Sequence, residues 1–576
     1  AYDDGLGFRY ELDASEGADS IFITDELTEF NLTADHATWW IPADHDSYEY
    51  LYETTPLSEI DASKYSDENN RADRHIANFK AVNTPVTMRT ENGTHISLHE
   101  ANLTDYADMT LAVQDNFTLK SELVPWSDGI TVKAGSSLKS PWRTIQIGDN
   151  AGELMTSYLI LNLNEPNKLD DTSWIEPMKY TGIWWEMHIG KSSWGLGELA
   201  EDSYSSAIGG QTNHGANTNN AKSYIDFNSD AGIKGLLIEG WNTGWEYWGT
   251  DSLGFFDFTT PYPDFDIEEV VNYARQNDVE IIGHHETSGQ AAPYETRLEP
   301  AFQLYNDLGI KSVKTGYAGA IVPTGEKHHG QYMVRHYRKV VETAAKYNIA
   351  INAHEPIKAT GIRRTLPNMM TREGVRGMEY NAWSDGNPPE HTTILPFTRG
   401  LAGPTDYTPG IFDILFDEYR DEERVYSTLA GQLALYVVIY SPMQMAADLP
   451  ENYRENGDFH PAFQFIRDVA VDWDQTVVPA AEIGEFAVVA RKERGGERWF
   501  VGAITDENAR TLSVDLEFLD EGRGYSATIY KDGEDANWET NPLSYEIEDR
   551  AVDSETVLEM LLAPGGGAAI ELRPRN

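Results

Sequence analysis

The chain contains no cysteine. That excludes a disulfide framework, a thiolate metal centre and a cysteine nucleophile together. Nor does it hold any run near the roughly 18 uninterrupted apolar residues that a membrane-spanning helix needs. Its most apolar stretch, LALYVVIY from Leu433, is short and reads as a buried strand. Positive charge is scarce: 44 Lys and Arg stand against 94 Asp and Glu, a net charge of -50 spread along the whole length. A nucleic-acid partner is excluded by that balance, because phosphate binding calls for a basic surface. At molar salt the screening length falls to ~3 Å, which makes so dense an acidic surface tolerable, and a halophilic or salt-tolerant source is expected. The chain opens on AYDDGLGFRY with neither an initiator Met nor a signal peptide, so its start is expected to be processed or truncated.

What is present is enough chain for three units, 576 residues. Residues 1–175 alternate apolar and polar side chains (SIFITDEL, PVTMRT, HISLHE, YLILNLN) between Asn, Gly and Asp clusters, the pattern of an antiparallel β-sandwich with one wet face. From 176 to 472 apolar strands alternate with amphipathic helices. Eight strands are expected, at 182–190, 233–242, 279–288, 310–319, 349–356, 375–383, 391–399 and 434–442, with helices over DIEEVVNYARQN, PAFQLYNDLG, QYMVRHYRKVVETAAKYN and ERVYSTLAGQLA. This order predicts a (β/α)8 barrel, whose active site lies at the C-terminal ends of the strands. Residues 473–576 return to strict alternation and predict a small antiparallel β domain.

The expected strand ends carry chemistry. Strand 3 closes on His284-His285-Glu286, strand 4 reaches Lys314, strand 5 closes on His354-Glu355, and strand 6 carries Glu379, with Glu373 just before it. Glycoside hydrolysis needs one protonated carboxyl to assist the leaving oxygen and one ionised carboxylate to activate water or attack carbon. Tryptophans 184, 185, 241, 245, 248 and 383 lie in or after strands 1, 2 and 6, where aromatic faces can stack on sugar rings or simply fill the core. A zinc hydrolase is the rival for a histidine-rich barrel mouth, but no HExxH helix is present. A sugar-binding protein without catalysis is the other.

EGWNTGWE, TPYPDFD, HHETS, SVKTGYAG, HHGQ, NAHEP, TGIRRTLPN, HTTILPFTR, GPTDYTPGIF and YSPMQMAADLPENY together resemble glycoside hydrolase family 97, in particular its inverting, calcium-dependent α-glucosidases. The resemblance runs along essentially the whole chain, although it implies a longer N-terminal sandwich than this chain carries. It implies Glu355 as general acid, Glu286 and Glu379 as the pair assisting the attacking water, and calcium held by Glu355, Glu373, Glu379 and Glu100 of the N-terminal domain. It also implies a periplasmic or secreted enzyme acting on α-linked gluco-oligosaccharides. Lys314, His284, His285, His354 and Trp241 are expected to meet the sugar. Retaining α-galactosidases of the family carry an Asp nucleophile at the end of strand 4 and lack the strand-3 Glu. Here strand 4 ends Lys314-Thr315-Gly316 and Glu286 is present, which favours inversion. Linkage preference and oligomeric state are not legible.

Overall fold

The computed structural model describes residues 1–14, 17–71, 73–196, 213–248, 250 and 252–575. Two antiparallel sheets make up the N-terminal part. One has six strands in the order Gly5–Phe8, Trp142–Gly148, His95–Ala101, Val86–Arg89, Ala37–Trp40 and Glu53–Pro56. The other has four: Glu29–Asn31, Thr118–Leu123, Met109–Gln114 and Ala81–Val82. Val86, Met88 and Leu98 of the first pack with Met109, Leu111 and Leu119 of the second in one buried core. This is the expected sandwich. One of its expected strands is a helix: YLILNLN forms Leu159–Asn162, with Leu159 and Ile160 buried.

Seven parallel strands follow, β1 (Met178–Ile183), β2 (Gly235–Ile238), β3 (Glu280–Glu286), β4 (Ser312–Gly316), β5 (Ala350–Ala353), β6 (Met369–Arg372) and β7 (Met443–Met445), paired in sequence with β7 returning beside β1. The remaining gap is bridged by an extended stave. Thr405 bridges Arg372 of β6 in parallel register, and its N–H donates to the Tyr440 carbonyl just before β7 (2.8 Å). The barrel is thus nearly closed, and its second to fifth strands fall where the sequence places them, whereas the first precedes the expected 182–190, most of which is the helical turn Trp185–His188.

The last three also fall elsewhere. The apolar run 375–383 is a 3-10 turn, Met378–Ala382, and the true sixth strand lies just before it. HTTILPFTR is helical, Pro389–Ile394 followed by short turns. The run from Leu433 belongs to a helix, Leu429–Val438, every residue of which is buried. That helix is apolar all round because it is sandwiched between barrel and C-terminal sheet, so it shows no one-sided stripe. Gly502 of the sheet permits the approach, since a Cβ there would meet Val437 and the Ala434 backbone.

The C-terminal sheet runs Trp473–Glu482, Phe486–Glu493, Trp499–Thr505, Gly567–Pro574, Tyr525–Asp532 and Tyr545–Val552, with a two-stranded ribbon, Arg510–Asp515 and Val557–Leu562. The antiparallel domain is as expected. Among the described residues no helix is long and apolar enough to cross a membrane.

Candidate active site

Side chains alternate across a strand, so in β3 His284 and Glu286 face one way and His285 the other. His285 is sealed between barrel and helices, its ring stacked on Tyr305 at 4.8 Å and its Nδ1 2.8 Å from the Tyr294 hydroxyl. Burial there pushes its pKa well below the ordinary value. The expectation that it meets substrate is therefore corrected. Trp241 is also structural, 2% exposed, donating its indole N–H to the His284 carbonyl (3.1 Å). Trp184, Trp185 and Trp245 are equally buried, so most of the tryptophans build the core.

The inward groups form one network. Glu239, at the end of β2, accepts from Lys314 (2.8 Å) and from the Trp194 indole (2.8 Å), and lies 3.4 Å from His284 Nε2. Burial opposes its ionisation, but the attraction of His284 and Lys314 and the bonds from Lys314 and Trp194 bring Glu239 down to about 2. His354, beyond β5, is gripped from both sides: Nε2 stands 2.8 Å from Asp406 and Nδ1 3.2 Å from Glu373. Glu373 first, then the bond to Asp406, outweigh burial and push the imidazole up to about 10. Asp406 also accepts from Tyr180 and Asn352. Glu239 and Asp406 were not singled out in the sequence; only their places in EGWN and GPTDYTP pointed to them.

Above this floor stand the carboxylates. Glu355 follows β5 with φ 45°, a left-handed conformation that costs a non-glycine residue about 1–3 kcal/mol. Its carboxylate lies at the end of the adjacent strand β4, where Tyr317 N–H donates to Oε2 (2.7 Å). Its own N–H faces Glu373 Oε2 at 3.3 Å. Glu286 is capped by Ser288 N–H (2.6 Å) and lies beside Glu355: a methyl group built on Gly316 of β4 would overlap Glu286 Oε2 and sit 3.6 Å from Glu355 Oε2. Glu379 comes from the turn after β6, 3.6 Å from His188 Nε2.

Burial raises all three. Glu286 is pushed up to about 7, with Glu239 adding to the effect. Glu355 is raised well above the carboxylate range by burial, then by Glu373, Glu286 and Glu49. Glu379 is raised similarly by burial, Glu373 and Glu49.

Glu49 is the acid that the N-terminal domain contributes. It is raised by burial and then by Glu373. Glu100, expected in this role, lies elsewhere in a charge cluster, fully buried, accepting from Arg143 (2.6 Å) and Met109 N–H (3.0 Å) and paired with Lys358 (2.9 Å). Glu49 escaped notice because DHDSYEYLYE has no period; the signal was an acid amid aromatics in a loop that buries nearly every residue.

Ligand atoms of His354, Glu355 and Glu373 lie within 4.8 Å of one another, a grouping able to hold a metal ion. With Glu49 and Glu379 adjoining, the donor set is dominated by carboxylate oxygens, which fits a hard divalent cation rather than zinc.

Comparison with known proteins decides the family. The Glycoside hydrolase 97 model matches residues 184–375, its N-terminal model 1–166, and its C-terminal, oligomerisation model 472–573. The chain belongs to glycoside hydrolase family 97. A family 97 enzyme from Pseudoalteromonas sp. strain K8, solved in complex with acarbose, is 46% identical with TM-score 0.90, over 100% of this chain and 85% of that one. A Glu-to-Gln variant of the same enzyme was solved with panose. A retaining alpha-galactosidase of Bacteroides thetaiotaomicron is 26% identical, over 100% of this chain and 82% of its own. A probable retaining alpha-galactosidase of Streptomyces bingchenggensis is 27% identical, over 89% of this chain and 68% of its own. The cluster lies at the C-terminal ends of the barrel strands, the face on which parallel barrels carry their active sites.

Proposed function

We propose that this family 97 enzyme is an exo-acting α-glucosidase that cleaves malto-oligosaccharides with inversion and depends on calcium, in a secreted or periplasmic setting. One observation carries the stereochemistry. Gly316 stands at the strand-4 end where a retaining nucleophile would project, and the Glu286 carboxylate fills the space such a side chain would need. Acarbose and panose are α-glucosyl oligosaccharides, and their capture by the 46%-identical relative supports glucose over galactose.

We assign two roles otherwise than the resemblance implies. Acid and base of an inverting glycosidase face each other across the sugar, about 6.5–9.5 Å apart. Glu286 and Glu355 are neighbours at Gly316 and belong to one side, whereas Glu379 stands on another element. Glu379 is therefore the general acid: burial with Glu373 and Glu49 near it favours the protonated form that gives a proton to the glycosidic oxygen. Glu286, near 7, takes the proton of the attacking water, with Glu355 beside it. Lys314 and His284 present donors to sugar hydroxyls, whereas both nitrogens of His354 are taken by Asp406 and Glu373, so His354 orients those carboxylates instead of meeting the sugar. Glu49, Glu355, Glu373 and Glu379 would hold calcium, which when bound offsets their mutual repulsion and polarises the sugar hydroxyls.

Proton NMR of the anomeric region in the first minutes of maltose hydrolysis tests the reading. The sugar released from the nonreducing end is expected as β-glucose, and chelator is expected to stop its release. Early α-glucose would establish retention and overturn the assignment of Glu286. Release from an α-galactoside but not from maltose would favour the activity of the curated relatives.

A further inference from the structure

We propose that Tyr380 is a positioning residue that holds Glu49 of the N-terminal domain in the carboxylate cluster, so that the cation site is the joint product of two domains. The proposal rests on the calcium reading above. Glu49 sits on a loop and faces the repulsion of Glu373, Glu355 and Glu379. Left to itself, such a side chain would turn to solvent.

Two groups hold it in. The Tyr380 hydroxyl donates to Glu49 Oε2 at 2.6 Å, and Arg74 approaches the same oxygen at 3.4 Å while donating to the Tyr380 oxygen at 3.0 Å. The three side chains close a triangle across the domain boundary. Its corners are fixed from outside. Arg74 is 6% exposed, with its guanidinium paired to Asp73. The Tyr380 ring lies between the Arg376 guanidinium, 4.2 Å from its centroid, and Trp383, 4.3 Å away. Arg376 is itself tied to Asn387, Ser384 and the Gly386 carbonyl.

Tyr380 also follows Glu379 directly in the turn Met378–Ala382. One phenol thus ties the N-terminal acid to the backbone that carries the proposed general acid. A hydrogen bond that orients a metal-binding carboxylate commonly carries 10–100-fold in metal affinity.

The test is calcium binding by calorimetry to chelator-treated full-length protein, in wild type, Tyr380→Phe, Glu49→Gln and the double variant. Tyr380→Phe keeps the ring packed and removes only the hydroxyl. Its calcium affinity is expected to fall about 10–100-fold, while the thermal midpoint of the metal-free protein stays at the wild-type value. The double variant is expected to bind as Glu49→Gln does, because the phenol acts through that carboxylate. Arg74→Lys is expected to weaken binding in the same direction and serves if Tyr380→Phe does not fold. Wild-type affinity in both Tyr380→Phe and Arg74→Lys overturns the proposal, as does a double variant whose loss is the sum of the two. A wild-type protein that takes up no calcium overturns the calcium reading as well.

Discussion

Glu286 lies in the space that any side chain on Gly316 would claim: a Cβ there would overlap its Oε2. The smallest test of that relationship is Gly316→Ala. The methyl group displaces the carboxylate that the proposed mechanism uses as base, so kcat on maltose is expected to fall by about 10²-fold or more, the usual scale of a misplaced acid–base group. The clash is with the far end of the Glu286 side chain and not with backbone, so the melting temperature should move by only a few degrees. Loss of folding in place of loss of turnover would show that the cavity at Gly316 serves packing.

The assignment of Glu379 as acid and Glu355 to the water side separates by leaving group. Glu379→Gln is expected to cut hydrolysis of maltose by about 10²–10⁴-fold, the contribution of a positioned general acid, and to spare aryl glucosides whose leaving groups need no proton. Glu286→Gln and Glu355→Gln should lower both substrates together. Selective rescue of Glu355→Gln by aryl glucosides would restore the roles that the resemblance implies.

How much of this was legible depended on period. Glu286, Glu355 and Glu373 are legible because each ends or adjoins a short apolar run bounded by polar residues, and β3 to β5 each follow an amphipathic helix (Ile267–Gln276, Leu298–Leu308 and Gln331–Lys346). Local pattern misleads at Leu429–Val438, where burial on all sides erases the difference between a helix and a strand, and at Pro389–Ile394, whose six residues are too few to show a helical period and alternate buried with half-buried as a strand would. Glu100 drew attention by ending a regular strand, yet a regular strand in a sandwich points its acid into the domain's own interior. Glu49 was invisible because long-range packing, which no local pattern encodes, brings its loop to the barrel. The pairing of Glu286 with Glu355 likewise needs the strand order, since the sequence separates them by a whole βα unit.

The buried cluster around Glu100 makes a prediction about stability. Glu26, Glu100 and Asp108 share only Arg143 and Lys358, three acids to two bases. Burial and the negative Glu100 push Asp108 up to about 8, whereas Lys358 and Arg143 overcome burial and hold Glu100 at about 2. A carboxyl raised in the folded state binds more protons there than when unfolded. Its stabilisation is thus complete below an ordinary Asp pKa and is lost as pH rises through about 8. Asp108→Asn should remove that loss, raising the melting temperature relative to wild type at pH 8.5 and leaving it nearly unchanged at pH 5. Glu100→Gln takes away the charge that helps keep Asp108 protonated, so Asp108 is expected to ionise beside Lys358 in its place and the pH-dependent loss to shrink. An equal effect of Asp108→Asn at both pH values would sink the shared-proton account.

Salt supplies the last prediction, and the ion pairs explain its sign. On the C-terminal edge strand Glu546 and Glu548 both lean on Lys531, at 3.4 and 2.8 Å. Lys234 likewise stands among Glu176, Asp278 and Glu280. With 94 acids to 44 bases, cations are already shared, and further acidic groups have only dissolved counterions to screen them. Lowering ionic strength from about 1 M to 0.01 M lengthens the screening distance from ~3 Å to ~30 Å, so each acid then feels many others. Repulsion grows in the compact state and is relieved on unfolding. Dialysis against dilute buffer, followed by near-ultraviolet circular dichroism and maltose turnover, should therefore show loss of tertiary signal and activity together. Magnesium chloride at a few tens of millimolar should hold the fold where the same ionic strength of sodium chloride does not, because a divalent cation can bridge neighbouring surface carboxylates. Full activity after dialysis would show that the three cores carry the fold against the whole of that repulsion.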